Sequence, residues 1–114
     1  ILEATKEVPR RVSHPQRKTI GLRVPAHTVL QELLTLHGAP LLAATLILPG
    51  DEWPLNDPED SRERLEHQVG AVIDAGACSL EPTTVVDMSG EEPEVLRLGQ
   101  GDPAKLGLRQ SGSV

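Results

Sequence analysis

The chain has 114 residues and a formal net charge of −6, with 38% hydrophobic and 25% charged residues. This length fits one small domain, and the single cysteine excludes an intrachain disulfide. Trp53 is the sole aromatic residue, which argues against a nucleic-acid site that stacks bases on aromatic side chains. No apolar run is long enough to cross a bilayer, and the start carries no signal-peptide pattern. We therefore expect a cytoplasmic protein with no membrane partner.

The charged residues are unevenly distributed along the chain. Residues 1–23 carry six Lys or Arg against two Glu, whereas the remaining residues carry five basic and fifteen acidic side chains. A basic leading segment on an acidic body indicates that an anion is handled at one end of the molecule. A solvated, charged arm is the alternative interpretation of the same pattern.

The first half of the chain predicts a strand, a helix and a second strand. Apolar and other residues alternate over residues 17–24, which is typical of a strand with one buried face and places Arg23 on the opposite face. An amphipathic helix follows over Thr28–His37, with Thr28 as its cap and Gly38 as its stop. The continuous apolar run 41–48 is typical of a strand covered on both faces.

A second helix is predicted from its acidic first turn. Asp57 caps it and Pro58 occupies its first position, a combination that favours a helix start. The helix should extend to about Gln68, with Leu65 and Val69 facing inward.

The rest of the chain predicts three more strands. They cover residues 71–74, 83–88 and 94–98, and a hairpin turn over 89–93 joins the last two. Strands that alternate with helices indicate an α/β fold with a mixed sheet. The polar, glycine-containing residues beyond Gly99 are typical of a loose tail.

Few residues indicate chemistry by themselves. Ser13 and His14 are neighbours, which says little about a catalytic pair, and Cys78 lies among acidic residues that would not activate a thiol. Arginines on strands are better candidates, because a charge on a sheet face needs an anionic partner or solvent. For Arg23 and Arg97, a structural ion pair and a ligand contact are equally good interpretations.

Two threonines and a glycine pair are weaker candidates. Ligands of open α/β sheets bind beyond the strand ends, where Thr83 is expected, and Thr45 lies in the apolar run. Taken alone, both threonines are better explained by β-propensity. Gly99 and Gly101 lack the following helix that a phosphate-binding loop needs.

Four ordered blocks of sequence make the chain similar to a known family. They are TIGLRVPAH at 19–27, PLLAATLILPG at 40–50, EPTTVVD at 81–87 and VLR at 95–97. Together with ATKEVPRR at 4–11, these blocks resemble the YrdC family, and most closely its YciO-type branch. The similarity covers almost the whole chain, to about Gly107.

The resemblance implies an α/β fold in which an open, twisted mixed sheet is flanked by helices. It also implies that an N-terminal half, with further strands and a basic motif, precedes the position of Ile1 in family members. Since the chain does not start with Met, it is interpreted as the C-terminal half. On this basis residues 1–107 are part of a YrdC-like domain, and residues 108–114 are a flexible tail.

The activity implied by the resemblance is that of an L-threonylcarbamoyladenylate synthase. Such enzymes combine threonine, bicarbonate and ATP into threonylcarbamoyl-AMP, release pyrophosphate and serve the modification of tRNA adenosine. ATP is then a substrate that brings Mg²⁺, and no tightly bound cofactor is expected. Family members are also credited with binding double-stranded RNA or tRNA.

Site residues carry over by motif position. Arg23 would hold the threonine carboxylate, with Thr83 near the same substrate, while Arg97 would face the nucleotide phosphates. Thr45 matches a serine that contacts the nucleotide. Ile47 stands at a nucleotide-contact position where the family motif has Asn, as is typical of the YciO-type branch, and its side chain cannot form the hydrogen bonds of an amide. No catalytic or metal-binding residue is assigned.

Two alternatives to a synthase stay open. In the first, the chain is a double-stranded RNA or tRNA-binding module without synthase chemistry. Its RNA contacts are then the basic residues of the leading segment, Lys6, Arg10, Arg11, Arg17 and Lys18. In the second, the isolated chain is inactive and self-associates through a sheet edge and apolar surface that the missing half would cover.

Overall fold

A computed structural model describes residues 1–108 of the chain. These residues contain two α-helices and four short strands, so the predicted α/β class is confirmed. They form two compact units. Unit 1 comprises residues 1–24 and those from Glu81 on and contains the strands, whereas unit 2 comprises Pro25–Leu80 and contains both helices.

Unit 1 contains two antiparallel strand pairs. β1 (Leu2–Glu3) pairs with β2 (Thr19–Ile20), and β3 (Val85–Asp87) pairs with β4 (Glu94–Arg97). The strands predicted over 17–24, 83–88 and 94–98 therefore exist in shorter form. The predicted turn over 89–93 connects β3 to β4.

Ile1 links the two strand pairs. Its nitrogen donates to the carbonyl oxygen of Val86 at 2.7 Å, and its carbonyl oxygen accepts from the nitrogen of Met88 at 2.8 Å. Bonds from one residue to two positions that flank a third follow the pattern of a parallel pair. Ile1 consequently lies opposite Asp87 and extends β1 alongside β3.

The register sorts the strand residues of unit 1 onto two faces, because paired residues share a face and successive residues alternate. One face carries the apolar side chains Leu2, Ile20, Val86 and Val95. The opposite face, called the polar face below, carries Glu3, Thr19, Asp87, Glu94 and Arg97, with Val85 beside Arg97.

An irregularity in the register decides the face on which Arg97 lies. Val86 pairs with Val95, whereas Val85 pairs with Arg97, so Leu96 is an extra residue on β4. Strict alternation after Val95 would place Arg97 on the apolar face. The bulge at Leu96 places it on the polar face instead, as bulges often redirect side chains near functional sites.

The chain beyond β4 approaches the backbone before β3 very closely. A Cβ atom on Gly99 would lie 2.0 Å from the carbonyl oxygen of Pro82 and 2.7 Å from the carbonyl carbon of Thr83. The nitrogen of Gln100 donates to that Pro82 oxygen at 3.0 Å. A glycine is required at position 99 because a side chain has no space there.

Residues beyond Gly99 are less loose than predicted. A 3₁₀ helix over Pro103–Leu106 begins at Asp102, whose carboxylate accepts from the nitrogen of Ala104 at 2.9 Å. Pro103 is buried. Apart from Leu108, the tail predicted over 108–114 lies outside the described residues.

The first helix of unit 2 matches its prediction. α1 covers Thr28–His37 and ends at Gly38, which adopts φ +71° and donates from its nitrogen to the carbonyl oxygen of Leu34 at 2.9 Å. This left-handed stop is the arrangement that glycine favours. The predicted role of Thr28 is wrong, because the capping position belongs to His27, whose side chain forms no capping bond.

The second helix is shorter than predicted. α2 covers Pro58–Leu65, and the Asp57 carboxylate accepts from the nitrogen of Glu59 at 3.0 Å, which confirms Asp57 as the cap. Residues 66–68 form a turn after the helix, and Val69 lies in a bend. Val69, which was predicted to face inward, is 41% exposed.

The predicted strands at 41–48 and 71–74 are wrong for this structure, since both segments lack assigned secondary structure. A strand needs a neighbouring backbone to bond with, and the described part of unit 2 contains no strand. Isolated bonds tie the first segment locally, for example from the nitrogen of Leu55 to the carbonyl oxygen of Leu46 at 2.9 Å.

Apolar side chains are largely exposed in both units. Among the described residues no hydrophobic side chain of the usual core type is buried; Leu42, for example, is 88% exposed. No helix in the described part of the chain has the length and apolar character needed to span a membrane.

Candidate anion-binding site

Arg97 and Thr83, two of the predicted site residues, lie in direct contact in unit 1. Arg97 Nε donates to the Thr83 carbonyl oxygen at 2.8 Å, and Nη2 donates to Thr83 Oγ1 at 3.0 Å. Two bonds along one edge of the planar guanidinium fix its orientation. The remaining N–H groups of Arg97 are therefore presented in a defined direction.

The charge of Arg97 is not neutralised by these bonds, because both acceptors are neutral. Within the described residues of its own unit, no carboxylate forms an ion pair with Arg97. An exposed guanidinium held by neutral oxygens is suited to a carboxylate or phosphate, which it can bind through paired N–H groups.

The arginines of α2 show the contrasting arrangement. Arg64 Nη1 lies 2.7 Å from Asp51 Oδ2, and Arg62 contacts Glu59 at 3.2 Å. The hydrogen bonds that Arg62 and Arg64 donate to these carboxylates raise the pKa of both arginines. These guanidinium groups have structural ion-pair partners, which Arg97 lacks within the described part of unit 1.

Thr84 holds the segment that carries Thr83. Its Oγ1 accepts from the Gly99 nitrogen at 2.9 Å and donates to the Gly101 carbonyl oxygen at 2.6 Å. Both glycines of the pair are thereby bonded to the chain just before β3. Sequence reasoning missed Thr84, although its position beside Thr83 and the nearby glycines were the available signal.

Arg23 lies in unit 1, beyond the end of β2, and is exposed. The predicted strand would have included it, but β2 ends at Ile20. Residues 21–23 have no assigned secondary structure, so strand alternation does not assign Arg23 to a face.

Thr45 and Ile47 belong to unit 2 and lie in segment 41–48, which has no assigned secondary structure and is exposed over residues 41–47. The nitrogen of Ile47 donates to the Thr45 carbonyl oxygen at 3.1 Å, and the Ile47 side chain is 48% exposed. The Ile47 side chain offers an apolar surface and no hydrogen-bonding group.

The five basic residues predicted to contact RNA are all exposed: Lys6, Arg10, Arg11, Arg17 and Lys18. A 3₁₀ turn over Arg10–Val12 carries two of them. The turn that carries the last two is held by His14, whose Nδ1 accepts from the nitrogens of Gln16 (3.2 Å) and Arg17 (3.1 Å). His14 thus has a structural role that its pairing with Ser13 in sequence did not indicate.

Asp87 is a further acidic group on the polar face that sequence reasoning missed. Its Oδ1 accepts from Ser89 Oγ at 2.5 Å and from the Ser89 nitrogen at 2.9 Å. These bonds, together with the positive charge of Arg17, lower the pKa of Asp87. An Asp followed two residues later by Ser is a turn signal that could have been found.

Replacing Ser89 tests this interpretation. In Ser89→Ala the hydroxyl bond is removed while the backbone bond stays, so the pKa of Asp87 should rise towards its usual value. Because a lowered pKa stabilises the fold at pH above the unfolded-state pKa, the variant should be less stable at neutral pH. The difference should vanish as pH falls below the folded-state pKa.

The measurement is a carboxyl NMR titration of Asp87 together with unfolding at several pH values. Ser13→Ala is the matched control, since the Ser13 hydroxyl donates to the Arg10 carbonyl at 3.2 Å and contacts no carboxylate. Equal effects of the two substitutions on the Asp87 titration would contradict the assignment.

No group of three His, Cys, Asp or Glu among the described residues is close enough to hold a metal ion. Cys78 is a free, exposed cysteine.

Residues 1–99 match the model of the Sua5/YciO/YrdC family, which is described as "Telomere recombination". The chain is 48% identical over 102 residues to "Uncharacterized protein YciO" of Escherichia coli K12, covering 90% of this chain and 50% of that protein. It is 50% identical over 105 residues to an "Uncharacterized protein" of Haemophilus influenzae, covering 91% of this chain and 51% of the relative.

A more distant relative has a functional name. A Mycobacterium tuberculosis protein named "Putative threonylcarbamoyl-AMP synthase" is 37% identical over 82 residues, which cover 71% of this chain and 37% of that protein. The crystal structure of E. coli YciO is similar with a TM-score of 0.78 and 47% identity, over 90% of this chain and 50% of the YciO chain. The chain thus spans about half the length of the YciO-type relatives it matches.

Proposed function

Because the chain belongs to the Sua5/YciO/YrdC family, we propose that it forms part of an L-threonylcarbamoyladenylate synthase. The substrates are threonine, bicarbonate and ATP, with Mg²⁺ arriving with ATP. The threonine amine bonds to the carbon of bicarbonate with loss of water, so the products are threonylcarbamoyl-AMP, pyrophosphate and water. The name of the mycobacterial relative supports this activity. The proposal includes a cytoplasmic location and the open, twisted mixed sheet of the family, to which the link between β1 and β3 is suited.

The observation that carries the proposal is the arrangement of Arg97. Its guanidinium is held by Thr83 and has no carboxylate partner within the described part of its unit. In the reaction, an oxygen of threonylcarbamate bonds to the α-phosphorus of ATP while the bond from that phosphorus to pyrophosphate breaks. Negative charge is redistributed over the phosphate oxygens, where a preorganised guanidinium stabilises it.

The other site residues have distinct roles in the proposal. Arg23 pairs with the threonine carboxylate, and the Thr83 hydroxyl, which accepts from Arg97, lies near the same substrate. Thr45 contacts the nucleotide through its hydroxyl, and Ile47 contacts it through apolar surface alone. The location of Arg23 in unit 1, which also contains Arg97, supports a role of both arginines in one anion-binding site.

The test is incorporation of labelled bicarbonate into threonylcarbamoyl-AMP by the complete gene product, in the presence of threonine and ATP. The same assay is run in parallel with the mycobacterial relative. Product that requires threonine, with one pyrophosphate released per adenylate formed, supports a synthase. No product above the enzyme-free blank, from protein that is shown to be folded, overturns the proposal.

Ile47 provides a prediction about nucleotide affinity. In Ile47→Asn the new amide can donate to and accept from the nucleotide, so ATP affinity should increase about tenfold, the effect of one hydrogen bond of roughly 1.4 kcal/mol. Calorimetric titration with ATP measures the change. Ile73→Asn, at another exposed isoleucine of unit 2, is the control, and an equal gain there would contradict the role of position 47.

A second candidate function is binding of double-stranded RNA or tRNA without synthase chemistry. The exposed cations of residues 6–18 and the turn held by His14 favour it. Neutralising phosphates releases counterions, so binding should weaken steeply with salt. We expect the basic segment to supply the affinity for RNA, because the remainder of the chain is strongly acidic.

Charge reversal in the basic segment tests this second function. Arg10→Glu with Arg11→Glu should reduce the steepness of the plot of log K against log salt by about 1.8, or roughly 0.9 for each phosphate that is no longer neutralised. Filter binding with a short RNA duplex at several salt concentrations measures it. The control is Arg62→Glu on α2, and an unchanged slope in the double variant would rule out a role of these two arginines in RNA binding.

A further inference from the structure

Two segments of unit 1 lie against each other at the open end of the β3–β4 hairpin. Residues 81–84, called the pre-β3 segment below, precede β3, and residues 99–101, called the glycine segment, follow β4. The nitrogen of Gln100 donates to the Pro82 carbonyl oxygen at 3.0 Å, and its side-chain amide donates to the Glu81 carbonyl oxygen. The backbone and one amide side chain thus join the two segments.

The Thr84 hydroxyl adds two further bonds between these segments. Its oxygen accepts from the Gly99 nitrogen at 2.9 Å, and its proton is donated to the Gly101 carbonyl oxygen at 2.6 Å. Thr84 is half-buried, whereas the neighbouring Thr83 is exposed. A hydroxyl has a single proton to donate, and an anion is bound by donors. Because its proton is committed to Gly101, the Thr84 hydroxyl is not itself a group that binds an anion.

The position of Thr84 constrains the acceptor that holds Arg97. Arg97 Nε donates to the Thr83 carbonyl oxygen at 2.8 Å, and this oxygen belongs to the peptide group that joins Thr83 to Thr84. Because a peptide group is planar, the position of the Thr84 backbone limits the directions in which the oxygen can point. A hydroxyl that is bonded through both its donor and its acceptor therefore helps to fix the Nε bond of Arg97.

The same hydroxyl also constrains the chain that follows Arg97. Gly99 comes two residues after Arg97, and its nitrogen is the donor to Thr84. The contact of Thr83 with Arg97 and the contact of Thr84 with Gly99 therefore connect the same two stretches of chain. Supporting bonds of this kind hold a binding side chain in one orientation.

We infer that Thr84 is a positioning residue of the anion-binding site, whose hydroxyl holds the Thr83–Arg97 pair in the orientation that binds phosphate groups. Without this hydroxyl the positive charge remains, but the N–H groups of Arg97 lose their fixed direction, so the affinity for phosphate falls. The inference rests on the phosphate-binding role of Arg97 in the proposed function, and it does not depend on formation of threonylcarbamoyl-AMP.

The first measurement is hydrogen exchange of the Arg97 Nε–H group, observed by NMR in the complete gene product without ligand. Thr84→Val removes the hydroxyl and nearly keeps the shape of the side chain, so the exchange should become at least about tenfold faster. Thr84→Ser keeps the hydroxyl and should restore the original rate. Unchanged exchange in folded Thr84→Val protein would overturn the inference.

The second measurement is calorimetric titration with inorganic pyrophosphate. The affinity should fall about tenfold in Thr84→Val, a factor equivalent to one hydrogen bond, and should recover in Thr84→Ser. If the unsubstituted protein does not bind pyrophosphate, the inference fails together with the phosphate-binding role of Arg97. Retained pyrophosphate binding with no synthase product would instead overturn the proposed function alone.

Two control variants separate positioning from general destabilisation. Gln100→Leu removes the amide that bonds the glycine segment to Glu81, and should affect both measurements far less than Thr84→Val. Thr35→Val removes a hydroxyl of α1 that donates to the Gln31 carbonyl oxygen at 2.9 Å, and should change neither. Equal effects of Thr84→Val and Gln100→Leu would show that loosening the glycine segment suffices, which contradicts a specific role of Thr84.

Thr84→Cys provides the comparison if Thr84→Val does not fold. A thiol is a weaker donor and acceptor than a hydroxyl, so the cysteine variant should show faster Arg97 Nε–H exchange and weaker pyrophosphate binding than Thr84→Ser. Equal values for the cysteine and serine variants would refute the inference.

Discussion

Gly99→Ala is expected to disrupt unit 1, at a cost of about 3 kcal/mol or more in the free energy of unfolding. The added Cβ would lie 2.0 Å from the Pro82 carbonyl oxygen and 2.7 Å from the Thr83 carbonyl carbon. Both are backbone atoms, so no side-chain rotation relieves the overlap. The segment that carries Thr83 must move, and the two bonds from Arg97 to Thr83 should break with it.

Urea unfolding and the NMR signal of the Arg97 Nε–H group measure these two effects. Gly70→Ala is the matched control, because a Cβ at Gly70 meets no atom within 4 Å. Gly101→Ala is a nearer control, where the added atom would make ordinary contact with Thr84 at 3.5 Å. Unfolding energies that are equal for the variants at 99 and 70 would contradict the required close approach.

Arg97→Lys is expected to lower kcat/KM for threonylcarbamoyl-AMP formation roughly 10- to 150-fold, if the proposed function is correct. Lysine keeps the positive charge but loses the planar pair of donors. The decrease corresponds to one charge-assisted hydrogen bond of about 1.5–3 kcal/mol. The effect should fall mainly on the nucleotide, so the KM for ATP or kcat should change more than the KM for threonine.

Arg62→Lys is the control for Arg97→Lys, since Arg62 lies on α2 and contacts the carboxylates of Glu59 and Glu66. It should alter kcat/KM less than about twofold, as expected for an exposed ion pair. Thr83→Ser keeps the hydroxyl that accepts from Arg97 and should be nearly neutral, whereas Thr83→Val should reduce activity. Equal behaviour of the two Thr83 variants would show that the hydroxyl does not position Arg97.

The helices of unit 2 were predictable because their signals are local. Gly38 marks the end of α1, and Asp57 with Pro58 marks the start of α2, since each acts on the backbone within one turn. The end of α2 was harder to predict from the sequence. Residues 66–69 continue the polar pattern of the helix, and the turn that ends it has no glycine until position 70.

The strands show where local signals stop being sufficient. Val85–Asp87 and Glu94–Arg97 were found because the short turn between them brings the partners together. The apolar run 41–48 has the composition of a strand, but strand formation depends on a partner, which composition does not supply. Arg97 illustrates a finer limit, because the bulge at Leu96 changes its face and cannot be deduced from alternation.

For the candidate site, motif resemblance named Arg97 and Thr83 but gave no reason for their contact. Their bonds depend on the register of β3 and β4 and on the absence of a side chain at Gly99. The bonds of Thr84 to Gly99 and Gly101 depend on the same close approach of the chain beyond β4 to the backbone before β3. The roles of Arg23, Thr45 and Ile47 in binding stay predictions.

The link between Ile1 and β3 has a consequence for how the chain acquires its structure. The bond from Met88 to Ile1 closes a loop of more than eighty residues, so β1 cannot find its parallel neighbour until residues up to Met88 have left the ribosome. Contacts of such high sequence separation slow folding, because the entropy of loop closure is paid before the contact contributes. The helices between these distant segments need no such closure, so α1 and α2 should appear before unit 1 in a time-resolved refolding experiment.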